Sequence, residues 1–264
     1  MTSDNYQGAA AGWAGGAALV YGPIAAQSIA RSPVALTDAC VLDVGAGTGV
    51  SEAPLLAAGA ATVIGVDLSL DMLAWERATR AAAVVGDVMR LPFPHARFDA
   101  AIASFVLNHL DDPVRGLVEL VRVLRTGGAV LATVYANSSQ SANRDAIDVV
   151  ARAHGWNPPE WYRDLKATAA PRLGEVAPMT AAAEAAQLVD VDVTEAAVDV
   201  NVTDPAALVD YRFGQAHFAD WLAHLESDQR VRVRAAAVAV IAETMEPYRP
   251  RVIFLAARTA AARY

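Results

Sequence analysis

A single cysteine, Cys40, stands among 264 residues, so no intrachain disulfide framework is possible. Cys40 directly precedes an apolar run and reads as a small buried hydrophobe. Positive charge is scarce: 21 Lys and Arg face 29 Asp and Glu, for a net charge of −8 and a pI near 5.1. Long-range steering toward nucleic acid is therefore not expected. No basic segment opens the chain, and Asp4 stands where one would lie, which argues against a secretory leader. Nor is any stretch uniformly apolar over the ~20 residues a bilayer span requires. The most apolar one, Trp13 to Ala30, is interrupted by Gly15, Gly16, Gly22, Pro23 and Gln27, and predicts a packed or lid helix. Internal repeats are absent too. A cytoplasmic protein with no membrane and no nucleic-acid partner is expected, acting as a monomer or homodimer.

What is present is an alternation of apolar runs and helical patterns. Strands are predicted at Val41–Val44, Thr62–Asp67, Ala83–Gly86, Phe98–Ser104 and Ala129–Tyr135. Helices are predicted over Ser51–Ala58, over Ser69–Arg80 with Ser69 as N-cap, and over Pro113–Leu124 with Thr126-Gly127-Gly128 as its stop. Continuous apolar strands alternating with helices imply a parallel α/β sheet covered on both faces. Such sheets bind ligands beyond the carboxyl ends of their strands. Farther on, Ser138–Gly155 and Thr180–Val189 read as helices and Val191–Val202 as a strand. Asp204–Tyr211, Gln215–Leu225 and Asp228–Met245 read as a helical block before a last strand at Arg251–Ala257. Trp156–Ala177, with Pro158, Pro159, Pro171 and Gly174, is linker-like. The helical block reads as a cap on the same domain.

The most informative stretch is Val41-Leu42-Asp43-Val44-Gly45-Ala46-Gly47-Thr48-Gly49, a strand running into a glycine turn and then a helix. Glycines tolerate positive φ and let backbone approach a ligand closely, while a helix start aims N–H groups at it. A nicotinamide dinucleotide loop prefers a third glycine one position later, where Val50 stands. Asp43 would repel a pyrophosphate and attract a ligand bearing an ammonium group. Asp67, at the end of the second strand, could hold ribose hydroxyls under either reading.

Together with VIGVDLSLDML, VVGDVMRLPFPHARFDAAIAS and LVELVRVLRTGGAVLAT, the VLDVGAGTG segment resembles the class I S-adenosylmethionine-dependent methyltransferases. Within them it resembles the small-molecule group that carries the type 11 methyltransferase domain. The resemblance runs from about Val41 to Tyr135. It implies a Rossmann-like sheet, mostly parallel with an antiparallel last strand, helices on both faces, and a helical cap inserted in the C-terminal half. A single domain over 1–264 is expected, with lid helices in 1–36 and a cofactor-binding core in 37–136. A mostly helical cap and substrate region would fill 137–250, including one core strand near 191–202, before the last strand at 251–258. The implied cofactor is S-adenosylmethionine, leaving as S-adenosylhomocysteine. Gly45, Ala46, Gly47 and Gly49 would approach its methionine portion, and Asp43 would anchor its amino group. Asp67 would accept from the ribose hydroxyls, and Leu68 and Met72 would pack on the adenine. Gly86, Asp87 and Val88 would meet the adenine edge. Ser104 and His109 would face the sulfonium region, and Tyr21, with Trp13 and Tyr6 behind it, would cover the ligand.

Methyl transfer is an in-line displacement in which the protein aligns the partners and, for many nucleophiles, supplies a base. His109 in SFVLNHLDD is one candidate base, or else a structural histidine; Asn108 beside it is a polar positioner. His217 in the cap is the second catalytic candidate. Tyr211, His217, Phe218 and Trp221 form the expected substrate wall, with Trp156, Trp161 and Tyr162 as another. Asp111-Asp112 resembles a divalent-ion site, but Asp112-Pro113 reads better as a helix start, so no metal is expected. Asn157-Pro158-Pro159-Glu160 lies too late in the chain for a DNA methyltransferase motif and reads as a turn. The expected activity is O-, N- or C-methylation of a small-molecule metabolite in specialised metabolism. The alternatives are a cyclisation or rearrangement enzyme that keeps the cofactor without using its methyl group, and a non-catalytic binding module.

Overall fold

The computed structural model describes residues 3–261; the outermost residues of the expected 1–264 domain, at both ends, lie outside that range. Seven strands form one sheet among the described residues. They are β1 (Cys40–Val44), β2 (Thr62–Asp67), β3 (Ala82–Val85), β4 (Phe98–Ser104), β5 (Leu124–Tyr135), β6 (Leu188–Ala197) and β7 (Arg251–Thr259). Their order is β3-β2-β1-β4-β5-β7-β6. The β1–β2, β1–β4, β2–β3 and β4–β5 pairs are parallel, and β7 runs antiparallel to both β5 and β6. This is the Rossmann-like class I architecture that the motifs implied. β1 and β4 are adjacent although β2 and β3 intervene in the chain, so the strand order reverses there. A crevice opens beyond the carboxyl ends of those two strands.

Burial explains the strand sequences. Val41, Leu42 and Val44 of β1 and Ala100 to Ala103 of β4 are buried, as expected for strands covered on both faces. On one face the Pro113–Val123 helix seats Leu117, Leu120 and Val123 against the sheet. Its start is fixed by Asp112, whose carboxylate accepts the Arg115 N–H at 3.0 Å, and by Pro113 in the first turn. On the other face Ile29, Leu36 and Leu55 pack against Val41, Ile102 and Leu131. Cys40 is half-buried rather than sealed in the core.

A third cluster lies over the carboxyl ends of the strands, where the Ala18–Ile29 helix meets the Pro205–Phe213 and Ala216–His224 helices. The approach is close enough to demand glycine. A Cβ on Gly16 would lie 2.0 Å from the Asp210 carbonyl oxygen, and one on Gly214 would lie 2.3 Å from that of Gly12. Among the described residues, no helix is long and apolar enough to cross a membrane.

Four local expectations need correction. The Ser69–Arg80 helix is only Leu70–Ala74 long, capped by the Ser69 hydroxyl, which accepts from the Met72 N–H. It stops where Trp75 turns extended, ψ 123°, and left-handed Glu76, φ 46°, follows. The Arg80 guanidinium then bonds the released carbonyls of Met72 and Trp75, each at 3.3 Å. Gly127, φ +74°, does not separate a helix from a strand; β5 already begins at Leu124, and the glycine sits where its register with β4 shifts. The helix expected to reach Val189 ends at Ala185, because left-handed Gln187, φ 61°, turns the chain into β6. Finally, residues 156–177 are no linker. Short helical turns over Glu160–Asp164, Leu165–Ala169 and Ala170–Leu173 form a flap. Arg172 ties it down by donating to the carbonyls of Leu110 and Asp111, at 3.1 and 2.6 Å.

Candidate active site

The glycine turn is fastened to β2. The N–H groups of Gly45 and Ala46 both donate to the Val66 carbonyl, at 2.7 and 3.1 Å. Gly45 needs its freedom twice over: its φ is +65°, and a Cβ there would come within 2.3 Å of the Val106 methyl. Asp67 completes the turn, accepting from the Gly47 N–H at 2.8 Å with one carboxylate oxygen and from the Ser69 N–H at 2.9 Å with the other. Each oxygen retains a lone pair for a further donor. These residues open onto a cavity of about 520 Å³ at the crevice between β1 and β4.

Most of the expected cofactor set lines that cavity: Tyr21, Gly45, Ala46, Gly47, Asp67, Leu68, Met72, Gly86, Asp87, Val88, Ser104 and His109. Asp87 sits exposed at the rim and accepts from the Met89 N–H at 2.9 Å. Two members do not line it. Gly49 turns the other way, and a Cβ on it would meet the Arg80 guanidinium at 2.6 Å. Asp43 is buried behind the turn. Burial, and then the neighbouring Asp67 charge, push the Asp43 carboxyl up to about 7 against the opposing pull of Arg80. Burial also raises Asp67, although the Ser69 and Gly47 N–H groups counteract it.

Where β4 ends, several polar atoms are buried without a partner among the described residues: Ser104 Oγ, Asn108 Oδ1 and His109 Nδ1. All three side chains line the cavity. Native interiors rarely leave such atoms unsatisfied, so this wall fits a polar ligand group. His109 lies edge-on to Tyr6, with ring centroids 6.2 Å apart, and burial lowers its pKa to about 4. Near neutral pH it is therefore an uncharged imidazole.

The opposite wall is aromatic. Tyr21 stacks on Trp13 at 4.9 Å and meets Phe105 edge-on, also at 4.9 Å. From the flap, Trp161 and Tyr162 face the cavity, and Tyr162 stacks on His217 at 3.7 Å. His217 is buried, its Nε2 has no partner, and burial holds its pKa well below the ordinary value.

The rest of the expected substrate wall lies elsewhere. Tyr211 is fully buried and shares a 2.8 Å hydrogen bond between its hydroxyl and that of Tyr135. Phe218 is rotated ~100° around its helix from His217 and stacks in the core on Trp156 at 4.1 Å. Trp156 supports the site from behind, donating to the His217 carbonyl at 3.2 Å. Trp221 packs edge-on to Phe213 at 5.9 Å. None of these four lines the cavity.

In their place the cavity has Phe105, Tyr135, Arg144, Arg212 and Gln215. Arg212 is buried and paired with Asp148 through two 2.7 Å bonds, and it also donates to Gln215. Gln215 in turn donates to the Tyr21 hydroxyl at 3.2 Å. The position of Tyr135 at the carboxyl end of β5 was a usable signal in the sequence. Nothing local marks Arg144. Among the described residues no group of His, Cys, Asp and Glu side chains could hold a metal ion, and Asp112 serves as a helix cap.

Residues 42–132 match the family described as methyltransferase domain. A demethylmenaquinone methyltransferase from Corynebacterium kroppenstedtii is 47% identical over 88 residues, which is 33% of this chain and 38% of the relative. The chain thus spans well under two thirds of the length of that relative. Among solved structures, the [4+2]-cyclase SpnF superposes with a TM-score of 0.55 at 20% identity, covering 91% of this chain and 81% of that one. Phosphoethanolamine N-methyltransferase 2 of Haemonchus contortus, in complex with phosphomonomethylethanolamine and S-adenosylhomocysteine, gives 0.56 at 20% identity, over 89% of this chain and 52% of that one. At those identities the superpositions describe the fold.

Proposed function

We propose that this chain, whose residues 42–132 match the methyltransferase domain family, transfers a methyl group from S-adenosylmethionine to a small, aromatic or largely apolar metabolite. One observation carries the reading. The Asp67 carboxylate, held by the glycine turn, opens onto the same cavity as the aromatic wall of Trp161, Tyr162 and His217. A nucleoside site and an acceptor site are thus continuous. Relatives named demethylmenaquinone methyltransferase agree with a small-molecule acceptor.

S-adenosylmethionine, when bound, supplies an electrophilic methyl group on a sulfonium. Asp67 would accept from the ribose hydroxyls with its remaining lone pairs, a charge-assisted pairing. Leu68 and Met72 would cover the adenine, and Asp87 with the Val88 backbone would meet its edge. Asp43 lies behind the turn, so its charge would act on the amino group through the loop or through water. Ser104, Asn108 and His109 would flank the reacting centre, and the aromatic wall would hold the acceptor ring in line.

His109 and His217, uncharged near neutrality, accept hydrogen bonds but are weak bases. The chemistry therefore suits a nucleophile that ionises readily. A step needing no base is the second reading, a cyclisation or rearrangement that leaves the methyl group in place. An assay with methyl-labelled cofactor separates the two: label in the product supports transfer, and turnover without label supports rearrangement. Action in the cytoplasm, within specialised metabolism, as a monomer or homodimer and without nucleic acid or membrane, completes the proposal.

A further inference from the structure

Building on that reading, we infer that the acceptor is an aromatic acid whose carboxylate pairs with Arg144. The helix Ala142–Ala153 brings Arg144 to the cavity wall beyond β5. Its Nη1 donates to the Tyr248 hydroxyl at 2.9 Å, while its Nε is buried with no partner. The comparison with Arg212 is direct. Arg212, in the same cavity, has both carboxylate oxygens of Asp148 on its Nε and Nη2. Arg144 pairs with no carboxylate among the described residues, and the groups that act on it are the phenols of Tyr248, Tyr211 and Tyr135. Burial raises the pKa of all three, so they stay neutral and leave its charge uncompensated.

A half-buried guanidinium on the cavity wall with no carboxylate partner among the described residues suits a planar two-oxygen anion. A charged donor left unsatisfied is more costly than a neutral one, so an occupant carrying that anion is favoured. The net charge around it points the same way. Arg144, Arg212 and Lys166 all act on His217, and only Arg212 is paired with a carboxylate there. This positive compartment stands within a chain of net charge −8. The ring part of the ligand is set by Tyr135, whose ring centroid is 6.0 Å from the Arg144 guanidinium carbon, and by Phe105, 4.5 Å from Tyr135. The carboxylate either orients a separate nucleophile on the ring or is itself the oxygen that takes the methyl group. In both cases the guanidinium offsets its charge.

The test uses the full chain saturated with S-adenosylhomocysteine and titrated calorimetrically with benzoate and with benzamide, its neutral isostere. Benzoate is expected to bind at least ~10-fold more tightly. Arg144→Gln should abolish that preference while S-adenosylhomocysteine affinity stays within ~2-fold, and Arg144→Lys should retain part of it. The retained cofactor-product affinity shows that the variants fold. Equal affinity for the two probes, or a benzoate preference that survives Arg144→Gln, would overturn the inference. Failure of the wild-type chain to bind S-adenosylhomocysteine would instead overturn the cofactor reading on which it rests.

Discussion

Asp67 accepts the backbone N–H of Gly47 at 2.8 Å, so the carboxylate that ends β2 also sets the shape of the glycine turn after β1. One side chain therefore holds the loop geometry and, in the proposed function, would also meet the ribose. Asp67→Asn keeps the volume but loses the charge and one of the two oxygens that accept the Gly47 and Ser69 N–H groups. Affinity for S-adenosylhomocysteine should fall ~10- to 100-fold, the worth of one or two hydrogen bonds to a charged group. Equilibrium dialysis with labelled ligand measures it. An unchanged affinity would remove Asp67 from the ribose site.

Gly45→Ala adds a Cβ that must lie 2.3 Å from the Val106 methyl at φ +65°. Backbone strain and overpacking together should cost about 2–4 kcal/mol. The variant should melt several degrees lower and bind S-adenosylhomocysteine poorly. Adding Val106→Ala should recover part of the loss in a thermal melt, because it removes the clash and leaves the strain.

Asp43 carries a stability signature that depends on pH. Its carboxyl is raised to about 7 in the folded chain, so the folded state holds a proton that the unfolded state has already lost. That contribution to stability is complete below the unfolded value near 4 and is lost as pH rises through 7. Arg80 opposes the shift, while Asp67 and Glu52 reinforce it. Asp43→Asn should thus exceed wild type in melting temperature by less at pH 5 than at pH 8. The same variant should weaken S-adenosylhomocysteine binding more at pH 8, where the carboxylate is ionised. Melts and titrations at the two pH values check both halves.

His109 shows the opposite slope. Its folded pKa of about 4 lies below the unfolded value, so its contribution is present above the unfolded value and is lost as pH falls toward 4. His109→Gln should therefore gain stability relative to wild type as pH falls from 7 to 5. If His109 accepts a proton during turnover, the rate should stay level from pH 6 to 8 on its account. A limb near pH 6.5 that disappears in His109→Gln would contradict the buried, neutral state.

The two aromatic layers should separate in their effects. Tyr162→Ala opens the cavity wall and should raise KM for the acceptor while the fold persists. Phe218→Ala empties a fully buried site and should cost about 3–5 kcal/mol of stability. Chemical denaturation and steady-state kinetics distinguish them.

The cavity wall around the glycine turn was legible in the sequence because its contacts are local. A glycine turn, a strand-end carboxylate and a capped helix are each read within a few residues of Gly47, Asp67 or Ser69. Orientation was not legible there: Gly49 turns toward Arg80, and Asp43 sits behind the turn. The aromatic wall was much less legible. Tyr211, Phe218 and Trp221 carry the same aromatic signal as Trp161 and Tyr162, and only tertiary packing separates core from cavity wall. Arg144 is an ordinary helical arginine in the sequence. Its meaning arises from Tyr135, Tyr248 and a cavity assembled from segments far apart in the chain.

The central claim is the identity of the ligand in the glycine turn. The most direct test is a calorimetric titration of the intact chain with S-adenosylhomocysteine and, separately, with NAD. Saturable binding of S-adenosylhomocysteine in the micromolar range, with no measurable heat from NAD, is the predicted result. No binding of S-adenosylhomocysteine, or NAD binding of equal strength, would contradict the account.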